Sequence, residues 1–292
     1  MVYEEGKSYG ITADARPPRD GDKATDSASA GDLTPSVDVT IDSFEVANNG
    51  DVAASGTLTA TGGNGALTTT LVVKIDGVEY NATVTGTSWS LDAGQSVVYE
   101  EGKSYGITAD AETTDADGDK ATDSASAGDL TPSVDVTIDS FEVANNGDVA
   151  ASGTLTATGG NGALTTTLVV KIDGVEYNAT VTGTSWSLDA GQSVVYEEGK
   201  SYGITADAET TDADGDKATD SASAGDLTPS VDVTIDSFEV ANNGDVAASG
   251  TLTATGGNGA LTTTLVVKID GVEYNATVTG TSWSLDAVRA WS

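Results

Sequence analysis

The residues with which this chain could do chemistry are carboxylates. Asp115, Asp117 and Asp119 stand at alternate positions in TTDADGDKATDS at 113–124, and the same letters at 210–221 supply Asp212, Asp214 and Asp216. Carboxylates this close raise one another's pKa unless a cation sits among them. Oxygen ligands without nitrogen or sulfur suit calcium, which takes six to eight oxygens in a flexible shell. DADGDKATD is not an EF-hand loop, since its Gly is fourth rather than sixth and no Glu stands twelfth. GGNGALTTT lacks the Asp of a calcium-binding nonapeptide and reads as a glycine turn. Without a cation DADGD is a solvated acidic hairpin, and both readings stand at this point.

Composition removes most other chemistry. The chain has 46 acidic residues against 12 Lys and Arg, no His and no Cys, for a formal charge of −34 over 292 residues. Such a charge repels nucleic acid and anionic membranes. Imidazole bases, thiol nucleophiles, disulfides and the common zinc sites are excluded by residue type. No apolar run approaches the roughly 20 residues needed to cross a bilayer, so no membrane insertion is expected. MVYEEGKSYG has acidic flanks and no apolar segment, unlike a signal peptide. Either secretion uses a signal outside this stretch, or the chain is a fragment.

Other candidates reduce to surface or core. Asn81-Ala82-Thr83 matches a glycosylation sequon, a three-letter pattern that arises by chance. Glu100 and Glu101 are neighbours on a strand start and point to opposite faces, so they cannot serve one bond. Trp89 could stack on a sugar, but a single Trp amid alternating residues reads as core. Hydrolysis by paired carboxylates would need one in a cleft, whereas the acidic residues are expected on outward faces and turns. No enzyme is expected.

The elements that must position the loops come from an internal repeat. Thr34, Thr131 and Thr228 open the same string, a period of 97 residues. Complete units fall at 34–130 and 131–227, the last part of a unit at 1–33 and the first part at 228–292. That period is the size of an autonomous domain rather than of a solenoid repeat. Within a unit apolar residues alternate: Val37, Val39 and Ile41; Gly56, Leu58 and Ala60; Leu71, Val73 and Ile75; then, past Asp76-Gly77, Val78 to Val84. Alternation means half-buried antiparallel strands, and Asp-Gly between two such runs is a type I′ hairpin signal. With Ser88–Leu91, Tyr105–Ala109 and 120–127, the count is seven strands. The expected fold is all-β, a row of seven-stranded immunoglobulin-like β-sandwiches forming an elongated rod, with Trp89 and Tyr105 plugging the core. In an up-and-down order the DADGD loop returns to the pole where the unit begins. Asp115, Asp117 and Asp119 should therefore face Asp32, and Asp212, Asp214 and Asp216 should face Asp129.

IDGVEYNATVTGTSWSLDA, EEGKSYGITADAETTDADGDKATDS and DLTPSVDVTI together resemble the bacterial Ig-like, Bap-type repeats of giant biofilm, RTX and ice-binding adhesins exported by type I secretion. The resemblance implies an extracellular location on the bacterial cell surface. It also implies a role as an extender holding a terminal binding domain away from the cell, rigidified by calcium at the junctions, with neighbouring repeats as partners. Identical units argue for length rather than for a set of specificities. A glycan-binding β-sandwich module is the alternative.

The ends depart from the pattern. ARPPRDGD at 15–22 keeps Asp20 and Asp22 but replaces the partner of Asp115 by proline, and VRAWS closes the chain where the repeat has GQSVV. Both read as truncation scars. The partial units at the two ends should complement each other head to tail between molecules. Between units, 128–133 reads as a semi-flexible hinge with Pro132 fixing one dihedral.

Overall fold

A computed structural model describes residues 2–15 and 26–289, and among them every regular element is a strand. The chain divides into two compact units. The first takes in Met1–Ser133 together with Ala157–Thr166 and Thr210–Ala218; the second takes in Val134–Thr156, Thr167–Glu209 and Thr219–Ser292.

The first unit opens with a hairpin of β1 (Ser8–Ala15) and β2 (Asp26–Leu33), paired from Ser8↔Leu33 to Ala15↔Asp26. The 15–22 departure lies largely outside the described residues. Next come β3 (Pro35–Val39), β4 (Ser43–Val46), β5 (Val52–Gly62), β6 (Thr68–Ile75), β7 (Val78–Tyr80), β8 (Ala82–Thr85), β9 (Ser88–Leu91), β10 (Ser104–Thr114) and β11 (Lys120–Leu130). They form two antiparallel sheets, β3-β5-β9-β8 with β4 also on β5, and β11-β10-β6-β7. This is an immunoglobulin-like sandwich. Residues 131–227 carry the same nine strands in the same order.

Seven expected strands become nine for two local reasons. The run from Val78 to Val84 breaks at Asn81, whose N–H donates to Gln95 Oε1 (2.8 Å) and whose carbonyl accepts from Gln95 Nε2 (2.7 Å). That amide takes up the Asn81 N–H and shares its carbonyl with the Asp92 N–H (2.9 Å), and at this point the strand changes sheets: β7 pairs with β6, and β8 with β9. The second addition is β4, four residues pairing Val46 with Val52. The hairpin at Asp76-Gly77 forms as expected, with positive φ at both residues (49° and 82°).

The core lies between the sheets around Trp89, Tyr105, Ile107, Ile75 and Val73. The Trp89 indole N–H donates to Thr40 O at 2.9 Å, across the backbone of Gly56. A Cβ at Gly56 would lie 1.9 Å from Thr40 O and 2.7 Å from Trp89 Nε1, so no side chain fits there. Tyr105 donates its hydroxyl proton to Val98 O (2.7 Å) and accepts from the Glu100 N–H (2.8 Å), a tyrosine corner at the start of β10. Two carboxylates on β11 close the open edge of the first sheet: Asp123 accepts from the Val39 N–H (2.8 Å) and Asp129 from the Val46 N–H (2.6 Å). Unpaired edge donors are thereby satisfied without a further strand.

Two expectations are overturned here. Asp129 is only 1% exposed, not an outward-facing acid, because its carboxylate is needed by the Val46 N–H. And 128–133 is not an open linker but is hydrogen-bonded along its length. Gly128 and Asp129 pair with Gly106 and Tyr105 inside β11, and a new strand begins at Pro132, leaving Thr131 alone between two strands. Thr131 is buried; its N–H donates to Lys103 O (3.0 Å), while its hydroxyl accepts from the Lys103 N–H (3.0 Å) and donates to Glu100 O (2.7 Å). Pro132 has no N–H to satisfy, and its carbonyl accepts from the Gly102 N–H (2.8 Å). The Gly, Thr and Pro of this stretch are thus engaged by Gly106, by Lys103 and Glu100, and by Gly102.

The second unit contains the remaining strands of 131–227 and those of 228–289. In the latter, Val231, Val233, Ile235, Phe238 and Val240 are each more than half exposed. Their counterparts in 34–130 are packed against or within the core.

Candidate metal centre

Each acidic loop is organised by its first aspartate. Asp115 Oδ1 accepts from the N–H groups of Gly118 (3.0 Å) and Asp119 (2.9 Å), and Oδ2 from the Asn64 N–H (2.9 Å). Asp212 repeats this with Gly215 (3.1 Å), Asp216 (2.9 Å) and Asn161 (2.9 Å). The Asn64 N–H leads the donors that hold Asp115 below the ordinary carboxylate range. For Asp212 burial pushes upward, but the Asp214 hydrogen bond and three backbone donors outweigh it and the net shift is downward. Both residues are loop anchors, and Asp212 also faces the side chain of Asp214.

Carboxylates converge at two places, Asp212 among them, and all lie in the first unit. Oxygens of Asp32, Asp117 and Asp119 come within 4.8 Å of one another, as do those of Asp212, Asp214 and Asp216. Asp115 falls outside the first of these groups and Asp129 outside the second. An asparagine not foreseen from the sequence ties Asp129 in: Asn161 Nδ2 donates to Asp129 Oδ1 and to Asp214 Oδ2 (2.9 Å), and its Oδ1 accepts from the Leu130 N–H (3.4 Å). Asn64 does the same between Asp32 and Asp117. The glycine turn GGNGA at the same pole as DADGD held this signal, since a lone amide between glycines must serve something other than packing.

Asp216 is the most unusual group. It is 3% exposed, and its Oδ2 has no hydrogen-bond partner. Burial, followed by the charges of Asp129, Asp212, Asp214 and Glu45, pushes its pKa up to about 7. A buried carboxylate oxygen without a partner costs on the order of 1–3 kcal/mol. The lid over it comes from 34–130. Asn48 Oδ1 accepts from the Lys217 N–H (2.7 Å), Asn48 Nδ2 donates to Gly215 O (3.3 Å), and Tyr99 donates its hydroxyl proton to Lys217 O (2.9 Å). At the Asp32 cluster Tyr3 donates to Lys120 O (2.8 Å) in the same way, and Asp119 is less buried. Among the described residues no Lys or Arg forms an ion pair with Asp129, Asp212, Asp214 or Asp216. Against these carboxylates stands one amide.

This donor set fits a hard divalent cation: carboxylate oxygens, no imidazole or sulfur ligands, and one buried oxygen left over, while the Asn161 amide meets the carboxylates with its N–H group. No family model and no curated protein matches the chain. Among solved structures, similar ones include a tetra-tandem repeat in the extending region of a large adhesion protein, at 23% identity and a TM-score of 0.28, covering 97% of this chain and 73% of that one. The I9–I11 tandem of titin matches at 13% identity and a TM-score of 0.30, covering 87% and 89%. Drosophila N-cadherin EC1-4 matches at 11% and 0.20, covering 87% and 83%. At scores this low the matches carry no information about the site.

Proposed function

We propose that the chain is a spacer segment of an extracellular bacterial adhesin of the Bap type, in which calcium clamps successive repeats at the carboxylate clusters. The observation that carries the reading is the unpartnered, buried Asp216 oxygen among Asp129, Asp212 and Asp214. Asp129 belongs to the last strand of one repeat, and the other three to a loop of the next. A cation held by them would bridge the one-residue connection from both sides, with Asp115 and Asp212 shaping the loops. Asp32, Asp117 and Asp119 would form the same clamp one repeat earlier. Calcium would supply charge neutralisation there and no reaction.

The glycan-binding alternative loses its main support, because Trp89, Trp186 and Trp283 are all within 3% of full burial. Calorimetry tests the spacer reading. Each complete unit carries 16 acidic and 3 basic residues, so self-repulsion is large and sodium chloride at matched ionic strength is the control. If calcium binds only the folded clusters, a hundredfold excess over its dissociation constant adds about 2.7 kcal/mol. Melting curves that coincide in calcium and in EDTA would reject the clamp.

A further inference from the structure

We propose that Asn161–Gly162 is a deamidation site whose rate is set by opening of the carboxylate clasp around it. Three observations carry this. Asn161 is followed by a glycine with φ of 92°, and a Cβ there would lie 2.9 Å from Ala213 Cβ, so the position is restricted to glycine, which carries no side chain beside its nitrogen. The Gly162 N–H makes no hydrogen bond among the described residues, as is true of Gly65 and Gly259 in the equivalent turns, whereas the glycine N–H of the earlier Asn–Gly pair of each repeat is engaged: Gly50 with Ala47 O (2.7 Å), Gly147 with Ala144 O (2.8 Å) and Gly244 with Ala241 O (2.9 Å). And the Asn161 amide is itself the clasp, held by Asp129, Asp214 and the Leu130 N–H.

The step is balanced without any oxidant. Gly162 N attacks Asn161 Cγ, the bond from Cγ to Nδ2 breaks, and ammonia leaves with the Gly162 proton delivered through solvent. The resulting succinimide takes up one water at either carbonyl and opens to aspartate or isoaspartate. The amide that bridges two carboxylates becomes another carboxylate. While the clasp is closed, three hydrogen bonds hold Asn161 away from ring closure. Asn258–Gly259 is held by one bond fewer: its Nδ2 reaches Asp226 alone among the described residues, its Oδ1 accepts from the Leu227 N–H, and it is exposed. The inference does not depend on calcium.

The three turn asparagines lie in identical tryptic peptides, 24–74, 121–171 and 218–268, so each must be read alone. The double variant N64Q/N258Q reports Asn161, and N64Q/N161Q reports Asn258. Both full-length chains are incubated in EDTA under mildly alkaline, warm conditions, and fragment ions place the mass increase at the GGNGA asparagine or at the preceding Asn–Gly pair. The expected result is conversion at Asn161 several-fold slower than at Asn258. Asp214→Ala, at an exposed loop position, should raise the Asn161 rate toward that of Asn258. In denaturant the two rates should be equal, since the sequences are the same. The proposal is overturned if Asn161 converts as fast as Asn258, or if Asp214→Ala leaves the Asn161 rate unchanged. As a second readout, N161D, which is the aspartate product, should melt lower than wild type in EDTA; an unaltered melting temperature would remove the clasp's role.

Discussion

Asp216 differs most between the folded and unfolded chain. Its folded pKa is raised to about 7, while an unfolded Asp titrates near about 3.9. Below the lower value both states are protonated and no penalty exists. Between the two, the folded state holds the proton more tightly, so stability falls as pH rises, by at most about 1.4 kcal/mol per pH unit, and the loss is complete above about 7. Metal-free protein should therefore melt higher near about pH 5 than near about pH 8. Asp216→Asn should flatten that slope, and a slope identical in the variant would assign it to general charge repulsion. Gly56 offers a second test. Gly56→Ala drives a methyl into Thr40 O and the Trp89 indole, and should destabilise by about 3 kcal/mol or more, seen as an early transition in denaturant.

The strands and their main hairpin were legible because alternation and Asp-Gly act over a few residues. Trp89 and Tyr105 were also legible as core, since large aromatics at inward positions of a sandwich have nowhere else to go. What escaped depended on partners distant in sequence. Asn81 breaks a strand only because Gln95 binds its peptide, and Asp129 is buried only because Val46 needs an acceptor. Thr131 shows the same limit, for Gly, Thr and Pro suggest flexibility until Lys103 and Glu100 are placed against them. Thr131→Val keeps the shape but leaves the Lys103 N–H without its hydroxyl acceptor and Glu100 O without its donor. The expected loss is about 1–3 kcal/mol, with faster hydrogen exchange at Lys103. Unchanged exchange there would return the connection to the status of a hinge. The site was half legible: the two acidic loops and the pole they occupy follow from strand order, but the asparagine that joins them to Asp129 does not.

In the 292-residue polypeptide, β1 and β2 leave Ile11 71% exposed, whereas Ile107 in the same position of β10 is 1% exposed. The open face of 228–289 exposes Phe238 and its apolar neighbours. A hairpin with the sequence of β1 and β2 is what covers that face in 34–130, so a second copy can supply it. Light scattering should show mass increasing with concentration, and Ile11→Asp should suppress the increase. A monomer at all concentrations would exclude the pairing.

Asp129 also links the fates of successive repeats. One of its oxygens is held by Val46 of its own repeat and the other by Asn161 of the next. If the later repeat melts, Asn161 withdraws and a charge is left stranded in the neighbour that remains folded. Melting one repeat therefore raises the free energy of the repeat before it, and stability becomes a nearest-neighbour property of the string. By linkage the loss of either repeat weakens the other through this contact, a nearest-neighbour cooperativity that independent beads on a thread would lack.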